Sequence, residues 1–252
     1  MRAARTRSFA RLSSASSRTL AVGVGRRSLN HRDVILRHTT VASSRLCPDI
    51  ALRLITAEMP LWRATEEQAA DAGLIEPYWA FSWAGGQALA RYVLDHPDLV
   101  RGRTVLDFGA GGAVEGIAAA RSGGRVVAAD IDPMAAAAAA MNAELNGVAL
   151  DVSTENWVGR LDAPFDVVLA GDVFYDAAFA VTVLDWFIGL AARGVAILIG
   201  DPDRGFLDTS RLESLARYDT PSDNDMDGSF LRPTAIYRVR GAVARTAPVA
   251  PR

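Results

Sequence analysis

Residues 104–133 read TVLDFGAGGAVEGIAAARSGGRVVAADIDP, an apolar strand followed by a glycine-rich turn, a helix and a second apolar strand. This order forms half of a nucleotide-binding βαβ unit, whose two strands lie parallel in one sheet. Gly109 and Gly111 allow the backbone to turn sharply and to approach a ligand. Asp130 lies 19 positions after Gly111, near the roughly 20-residue spacing of an acid that binds ribose hydroxyls. The segment therefore predicts an adenosine-containing cofactor.

The same turn distinguishes between two cofactors of this kind. A dinucleotide fingerprint needs a third small residue at the position that Val114 occupies. The turn is also preceded by Asp107, whose carboxylate would repel a pyrophosphate but suits a cationic sulfonium or ammonium group. The pattern therefore favours S-adenosylmethionine over NAD, with Asp107, Gly109, Gly111 and Asp130 as candidate binding residues.

The rest of the chain alternates between the two-residue apolar period of strands and the roughly 3.6-residue period of helices. Strands are predicted at 104–107, 126–130, 148–152, 165–171 and 195–200, and helices at 114–121, 133–146, 177–193 and from Gly86 to a stop at Pro97. Residues 212–218 are predicted to be a helix leading into a strand, and 234–240 a last strand after an acidic loop at 222–228. This order predicts a doubly wound, Rossmann-like α/β fold, with a mostly parallel seven-stranded sheet and an antiparallel final strand.

One domain is predicted over residues 33–240, with a lead-in at 34–76 that includes strand character at 50–55 and helical character at 66–72. Residues 1–32 contain eight arginines and no acid. That composition fits either an organellar transit peptide or a start site assigned too far upstream. The corresponding locations are the mitochondrial matrix and the bacterial cytoplasm. Residues 241–252 are expected to form a disordered tail.

Charge and composition restrict the partners. After the first 32 residues, 19 arginines are set against 29 acids, which argues against a nucleic-acid partner and favours a basic substrate. No apolar run reaches the 18 or so residues of a membrane span, so no membrane partner is expected. Cys47 is the only cysteine, and of the three histidines two lie near the basic start. Neither a disulfide nor a metal site is therefore predicted.

Reactive side chains follow the predicted strands, at the edge where open α/β sheets bind their ligands. Trp157 follows the third strand and either stacks on adenine or forms a hydrophobic lid. After the fourth strand come Asp172 and Tyr175. A lysine must lose its proton before its nitrogen attacks, and an aromatic, desolvated channel lowers the lysine pKa. We therefore expect Asp172 to orient an amine and Tyr175 to line its channel, unless Asp172 or Asp176 is a helix cap.

Two further features of this edge have two interpretations each. The aromatic segment 77–86 either anchors the core or, through Gly85-Gly86 at the start of the next helix, lets the backbone approach an anion such as a carboxylate. Asp201 follows the fifth strand, where it either faces the entering substrate or closes a turn.

Together these motifs resemble those of the class I, seven-β-strand methyltransferases. More narrowly, the chain resembles the family that methylates lysines of the electron transfer flavoprotein β subunit. The similar segments are PYWAFSWAGGQALARYVLD at 77–95, VLDFGAG at 105–111, DIDP at 130–133, GDVFYD at 171–176 and GDP at 200–202. The chain departs from the family in the glycine turn, where G-x-G-x-G is common but Ala113 stands third, and Glu115 occupies a usually uncharged position.

The resemblance implies an S-adenosylmethionine-dependent protein-lysine N-methyltransferase. It assigns Asp172 and Tyr175 to the lysine entrance, and to the cofactor Trp83, Gly109, Gly111, Asp130 and Trp157. Gly171, at the end of the fourth strand, is a further candidate for cofactor binding. The implied substrate is the electron transfer flavoprotein β subunit, with ribosomal proteins as a second class. Two alternatives stay open: a methyltransferase of small metabolites and a catalytically silent cofactor-binding or interaction module.

Overall fold

The structure is a computed structural model that describes residues 30–56, 77–221 and 231–241. The predicted helix at 66–72 and the acidic loop at 222–228 lie outside the described residues. So do nearly all of the segment 1–32 and of the tail 241–252. Within the described ranges, no helix is long and apolar enough to cross a membrane.

The described chain forms two sheets. The small sheet pairs β1 (Thr40–Ser43) with β2 (Ala51–Leu54) in antiparallel fashion. The large sheet has the strand order β5-β4-β3-β6-β7-β9-β8. Its strands are β3 (Thr104–Phe108), β4 (Arg125–Ala129), β5 (Asp151–Ser153), β6 (Val167–Gly171), β7 (Ala196–Asp201), β8 (Leu212–Pro221) and β9 (Leu231–Val239).

Only β9 runs against its neighbours in the large sheet. It is antiparallel to β7 and to β8, while the other neighbouring strands pair in parallel. This arrangement confirms the predicted seven-stranded, mostly parallel sheet with an antiparallel final strand. In the strand order, β9 lies between β7 and β8, so β8 rather than β9 is the edge strand.

Five α-helices accompany the strands in the described part of the chain: α1 (His31–His38), α2 (Ala84–Asp95), α3 (Val114–Arg121), α4 (Pro133–Asn146) and α5 (Ala177–Ala191). The predictions for α3 and α4 are correct at both ends. Local signals explain the ends of α4, because the Asp132 side chain accepts a hydrogen bond of 2.8 Å from the Met134 N–H. Pro133 follows at the first helical position, and Gly147 ends the helix at φ 64°.

Both faces of the sheet are covered. One core contains Leu89 of α2 and Ile117 of α3 against β3, β6 and β7. The other contains Trp186 and Phe187 of α5 on the opposite face of the same strands. Burial on both faces explains why the central strands are continuous apolar runs, such as Val167–Ala170, rather than alternating ones.

Two predictions about element boundaries are wrong. Residues 212–218 do not contain a helix, because β8 begins at Leu212 and pairs with β9 along its length. The pairing of β8 with β9 shifts register between Ser214 and Ala216, and such an irregularity interrupts the two-residue alternation of apolar side chains. At the other end, α1 begins at His31 with Asn30 as its cap, inside the segment set aside as 1–32. Arg32 anchors this helix to Glu144 of α4 at 3.0 Å.

Candidate active site

The glycine turn joins β3 to α3 at the carboxyl edge of the sheet. Its backbone is left-handed at Gly109 (φ 67°), Gly111 (φ 49°) and Ala113 (φ 61°). The N–H groups of Gly109 and Ala110 both donate to the carbonyl oxygen of Ala129, at 2.9 and 3.1 Å. The turn is thereby tied to the end of β4.

Asp130 holds the other side of this turn. Its Oδ2 accepts a hydrogen bond of 3.0 Å from the Gly111 N–H, and its Oδ1 accepts one of 3.0 Å from the Asp132 N–H. Burial raises the pKa of Asp130 above its ordinary value. The structure thus places the predicted ribose-binding acid directly against the predicted glycine turn.

A pair of buried carboxylates lies beneath the turn. Asp107 is fully buried, with Oδ2 accepting a hydrogen bond of 2.9 Å from the Gly116 N–H. Its Oδ1 has no hydrogen-bond partner among the described residues. Burial raises the pKa of Asp107 to about 7. A buried acid with an unsatisfied oxygen suits a cationic ligand group.

Glu115, which the sequence marked only as an unusual charge, is the second buried carboxylate and is 5% exposed. Burial raises its pKa well above the ordinary value, and the neighbouring charge of Asp107 adds to the effect. The Gly171 N–H donates to the Glu115 carboxylate. Any side chain at Gly171 would overlap that carboxylate and would bring its Cβ to 2.7 Å from the Gly86 Cα. Gly171 is therefore required by the close approach of β6, α2 and α3.

Asp172 is the most constrained side chain of the site. Its backbone has φ 55°, and its N–H donates to the Gly200 carbonyl at 3.0 Å. Its Oδ2 accepts hydrogen bonds from the N–H groups of Gly85 and Gly86 at the start of α2. Its Oδ1 accepts from Arg204, at 3.0 Å from Nε and 2.5 Å from Nη2. A helix N-terminus and a guanidinium thus bind the same carboxylate.

This arrangement resolves two of the interpretations left open by the sequence. The anion that Gly85 and Gly86 approach is the carboxylate of Asp172. The cap of the following helix α5 is Asp176, whose Oδ1 accepts hydrogen bonds from Ala178 and Phe179 at 3.1 and 2.9 Å. Asp172 does not cap α5, but its carboxylate binds the N-terminus of α2.

Trp83 and Tyr175 differ in their relation to this carboxylate. Trp83 donates its Nε1–H to the Tyr78 carbonyl at 2.8 Å, and its ring lies 5.5 Å from the Cζ of Arg204. Tyr175 is 63% exposed, with its ring 6.2 Å from that of Phe179. Trp83 and Asp172 are therefore linked through Arg204, whereas Tyr175 lies at the surface.

Asp201 closes a turn, since its Oδ1 accepts a hydrogen bond of 2.8 Å from the Asp203 N–H. Its side chain is buried, and burial together with the nearby charge of Asp172 raises the pKa of Asp201 to about 6. Its Oδ2 has no hydrogen-bond partner within the described ranges. The structure therefore supports the turn-closing interpretation and leaves one buried oxygen at the site.

Trp157 follows β5, two strands away from β3 in the sheet. Its ring packs edge-on against Phe165 with centroids 5.0 Å apart, and the Cζ of Arg160 lies 4.1 Å from the ring centroid. Its buried Nε1 has no partner in the part of the chain that the structure describes. In this structure the indole therefore forms part of the buried core, with Arg160 over its face.

These residues fit S-adenosylmethionine. The buried, unsatisfied oxygen of Asp107 suits the cationic part of that molecule, and Asp130 beside the Gly111 turn suits the ribose. The unsatisfied Nε1 of Trp157 offers a donor near the adenine position. No group of three or more His, Cys, Asp or Glu among the described residues could hold a metal ion.

Comparison with known proteins agrees with this geometry. The family model for ribosomal protein L11 methyltransferase matches residues 87–173. The electron transfer flavoprotein β-subunit lysine methyltransferase of Xenopus laevis is 40% identical over 213 residues, covering 82% of this chain and 85% of that protein. This chain belongs to the same family. The Rattus norvegicus protein is 39% identical over 208 residues, covering 79% of this chain and 80% of its own.

A second group of relatives is similar over a shorter region. The ribosomal protein L11 methyltransferase of Pelotomaculum thermopropionicum is 46% identical over 105 residues, which is 39% of this chain and 32% of that protein. Family membership makes this chain an S-adenosylmethionine-dependent lysine methyltransferase. The sequence missed Arg204, although it stands two positions after the GDP motif.

Proposed function

We propose that this chain methylates a lysine of the electron transfer flavoprotein β subunit. The support from similarity is the 40% identity to a relative of that name across most of both chains. The support from geometry is Asp172, held at the carboxyl edge by two backbone N–H groups and a guanidinium. The acidic composition after residue 32 also favours a protein that presents a basic side chain over a nucleic acid.

The cofactor residues act as a set. When bound, S-adenosylmethionine supplies an electrophilic methyl group on a positively charged sulfur. The left-handed turn at Gly109 and Gly111 provides a surface without side chains, and Asp130 accepts hydrogen bonds from ribose hydroxyls. Asp107 attracts the cationic end of the ligand, and Trp157 covers the adenine.

The acceptor residues act on the lysine. Asp172 accepts a hydrogen bond from the amine and so directs the nitrogen lone pair. Tyr175 provides an aromatic wall for the alkyl stem, and Trp83, which the resemblance assigned to the cofactor, contributes a second wall beside Arg204. Most of the rate enhancement then comes from holding donor and acceptor in one geometry, because such positioning removes the entropy cost of bringing them together.

The test uses electron transfer flavoprotein from the same organism, methyl-labelled S-adenosylmethionine and mass spectrometry of the β subunit. We expect label on a β-subunit lysine. The chain itself contains no lysine, so labelled lysine cannot come from self-methylation. Label on ribosomal proteins or on a small metabolite alone would contradict the proposal.

Asp172→Asn tests the role of the carboxylate. We expect transfer to fall by about 100-fold or more, a typical effect of disturbing a positioned catalytic group, while the Kd of S-adenosylmethionine changes less than about threefold. Asp185→Asn, an exposed substitution on α5, serves as the matched control and should leave both values unchanged. Equal losses of transfer and of cofactor binding in Asp172→Asn would contradict the assigned role.

A further inference from the structure

Arg204 and Asp172 form an ion pair with two hydrogen bonds at the mouth of the site. The Nε and Nη2 atoms of Arg204 lie 3.0 and 2.5 Å from the same carboxylate oxygen. The side chains are only 19% and 8% exposed, so solvent screens their charges weakly. The face of Trp83 supports the guanidinium at 5.5 Å. Arg204 therefore occupies a fixed position beside the carboxylate that is to receive the lysine.

We propose that Arg204 makes this site select the uncharged form of the acceptor lysine, by neutralising Asp172 and placing a permanent positive charge beside the amine. The inference rests on the proposed function. Arg204 is a positioning and specificity-determining residue in this proposal, and no group is transferred to or from it.

The charges around the amine carry the argument. An isolated Asp172 carboxylate would stabilise a lysine ammonium and raise its pKa, which favours the unreactive form. In this structure both carboxylate oxygens already accept hydrogen bonds, Oδ1 from Arg204 and Oδ2 from the N-terminus of α2. A helix N-terminus adds roughly half a positive charge. The amine therefore meets a compensated carboxylate, which can still orient it but no longer holds its extra proton.

The guanidinium keeps this effect constant with pH. Arginine does not lose its proton in proteins, whereas a lysine at the same place could. The amine that binds between this cation and a cationic cofactor loses its proton more easily, because both charges disfavour the ammonium form.

Titratable groups of the neighbouring elements also lie near the pair. Asp201 ends β7, Asp203 lies on the following loop with Arg204, and Glu115 faces Asp172 from α3. Burial raises the pKa of Asp201 to about 6, so a pH series above 7 avoids its titration. The variant Glu115→Gln is the control for titration of Glu115, and its kcat should depend on pH as that of the wild type does.

The first measurement is kcat against pH from 7 to 10.5 with electron transfer flavoprotein as substrate. In the wild type we expect kcat to rise with pH, and the midpoint of this rising limb should lie below the ordinary lysine pKa of about 10.4. In Arg204→Gln the limb should move up by at least one pH unit, so the rate at pH 7.5 falls about tenfold or more and recovers at high pH. In Arg204→Lys the limb should lie between those of the wild type and of Arg204→Gln, because this lysine keeps its positive charge only below its own pKa.

Arg91→Gln is the matched control. Arg91 forms a 2.5 Å pair with Asp95 on the other end of α2, so it removes an equivalent ion pair away from the site. Its pH profile should match that of the wild type. Thermal unfolding of each variant shows whether a loss of rate reflects a loss of folded protein.

The second measurement does not depend on transfer. Calorimetric binding of the flavoprotein to enzyme with an unreactive cationic analogue of S-adenosylmethionine, at pH 8.5 in two buffers of different ionisation enthalpy, counts the protons released. We expect the wild type to release close to one proton per site, because the lysine binds uncharged, and Arg204→Gln to release far fewer.

The outcomes separate the two proposals. If Arg204→Gln had the same pH profile of kcat and the same proton release as the wild type, the inference alone would be overturned. The same holds if Arg204→Gln were faster than the wild type at every pH, because Arg204 would then hinder the reaction. Absence of transfer to the flavoprotein by the wild type would instead overturn the proposed function, and the inference with it.

Discussion

At the scale of a single residue, Ala113 takes a left-handed conformation (φ 61°) that is normally left to glycine. This conformation costs an alanine roughly 1–2 kcal/mol, partly offset by the burial of its methyl group, worth about 0.8 kcal/mol. Ala113→Gly should therefore stabilise the fold by up to about 1 kcal/mol, measured by urea unfolding. The small size of this net cost explains why the departure from G-x-G-x-G does not break the turn.

The control for Ala113→Gly is Ala139→Gly. Ala139 belongs to the same small cluster as Ala113, with Ala110 and Ala128, but it lies inside α4. Removing its methyl group relieves no strain and adds a helix penalty of about 1 kcal/mol, so this variant should be destabilised. Equal destabilisation of both variants would contradict the strain assigned to Ala113.

At the scale of elements, the start of α2 packs directly on the ends of β6 and β7. A Cβ at Gly85 would overlap the Gly200 carbonyl oxygen and would lie 2.7 Å from the Asp172 nitrogen. Gly85→Ala should therefore destabilise the protein by about 1–3 kcal/mol, the usual range for overpacking, and should lower transfer further by displacing Asp172. Urea unfolding and the methylation assay measure the two effects.

Gly241→Ala is the control for this packing, because its Cβ would meet only the Ala191 carbonyl oxygen, at 3.7 Å. It should leave stability and transfer unchanged. A Gly85→Ala protein as stable as Gly241→Ala would show that α2 can move away from the strands, which the structure does not predict.

At the scale of the whole molecule, buried carboxylates should make the ligand-free protein more stable at pH 6 than at pH 8. Burial raises the pKa of Asp107 to about 7 and that of Asp201 to about 6, whereas an unfolded Asp has a pKa of about 3.9. The folded state thus binds these protons more tightly. The stabilisation that these protons give the folded state is complete below the pKa of the unfolded chain. It is lost as the pH rises through the pKa of the folded protein.

Between pH 8 and pH 6 these two groups should contribute about 1–2 kcal/mol to the free energy of unfolding. That corresponds to a rise in Tm of a few degrees for a protein of this size. Asp107→Asn should remove most of the difference, because its side chain does not titrate. A Tm of the wild type that rises from pH 6 to pH 8 would contradict the assigned burial of these acids.

Much of the cofactor side of the site could be predicted from the sequence because its parts are close along the chain. Asp107, Gly109, Gly111 and Asp130 lie within one βαβ unit, and the spacing of that unit is dictated by the lengths of a strand, a turn and a helix. The ends of α4 follow in the same way from Asp132 and Gly147. β8 could not be predicted, because its pairing with β9 rather than its local pattern makes it a strand.

The acceptor side shows the limit of this approach. The sequence by itself determined the fold class, the glycine turn and the presence of Asp172 after β6, since these depend on local periodicity and backbone freedom. Only the tertiary structure decided that Asp172 is bound by Gly85, 87 positions earlier, and by Arg204, 32 positions later. Electrostatic partners act through space, so the charge that the lysine meets is set by which loops the sheet brings to one edge.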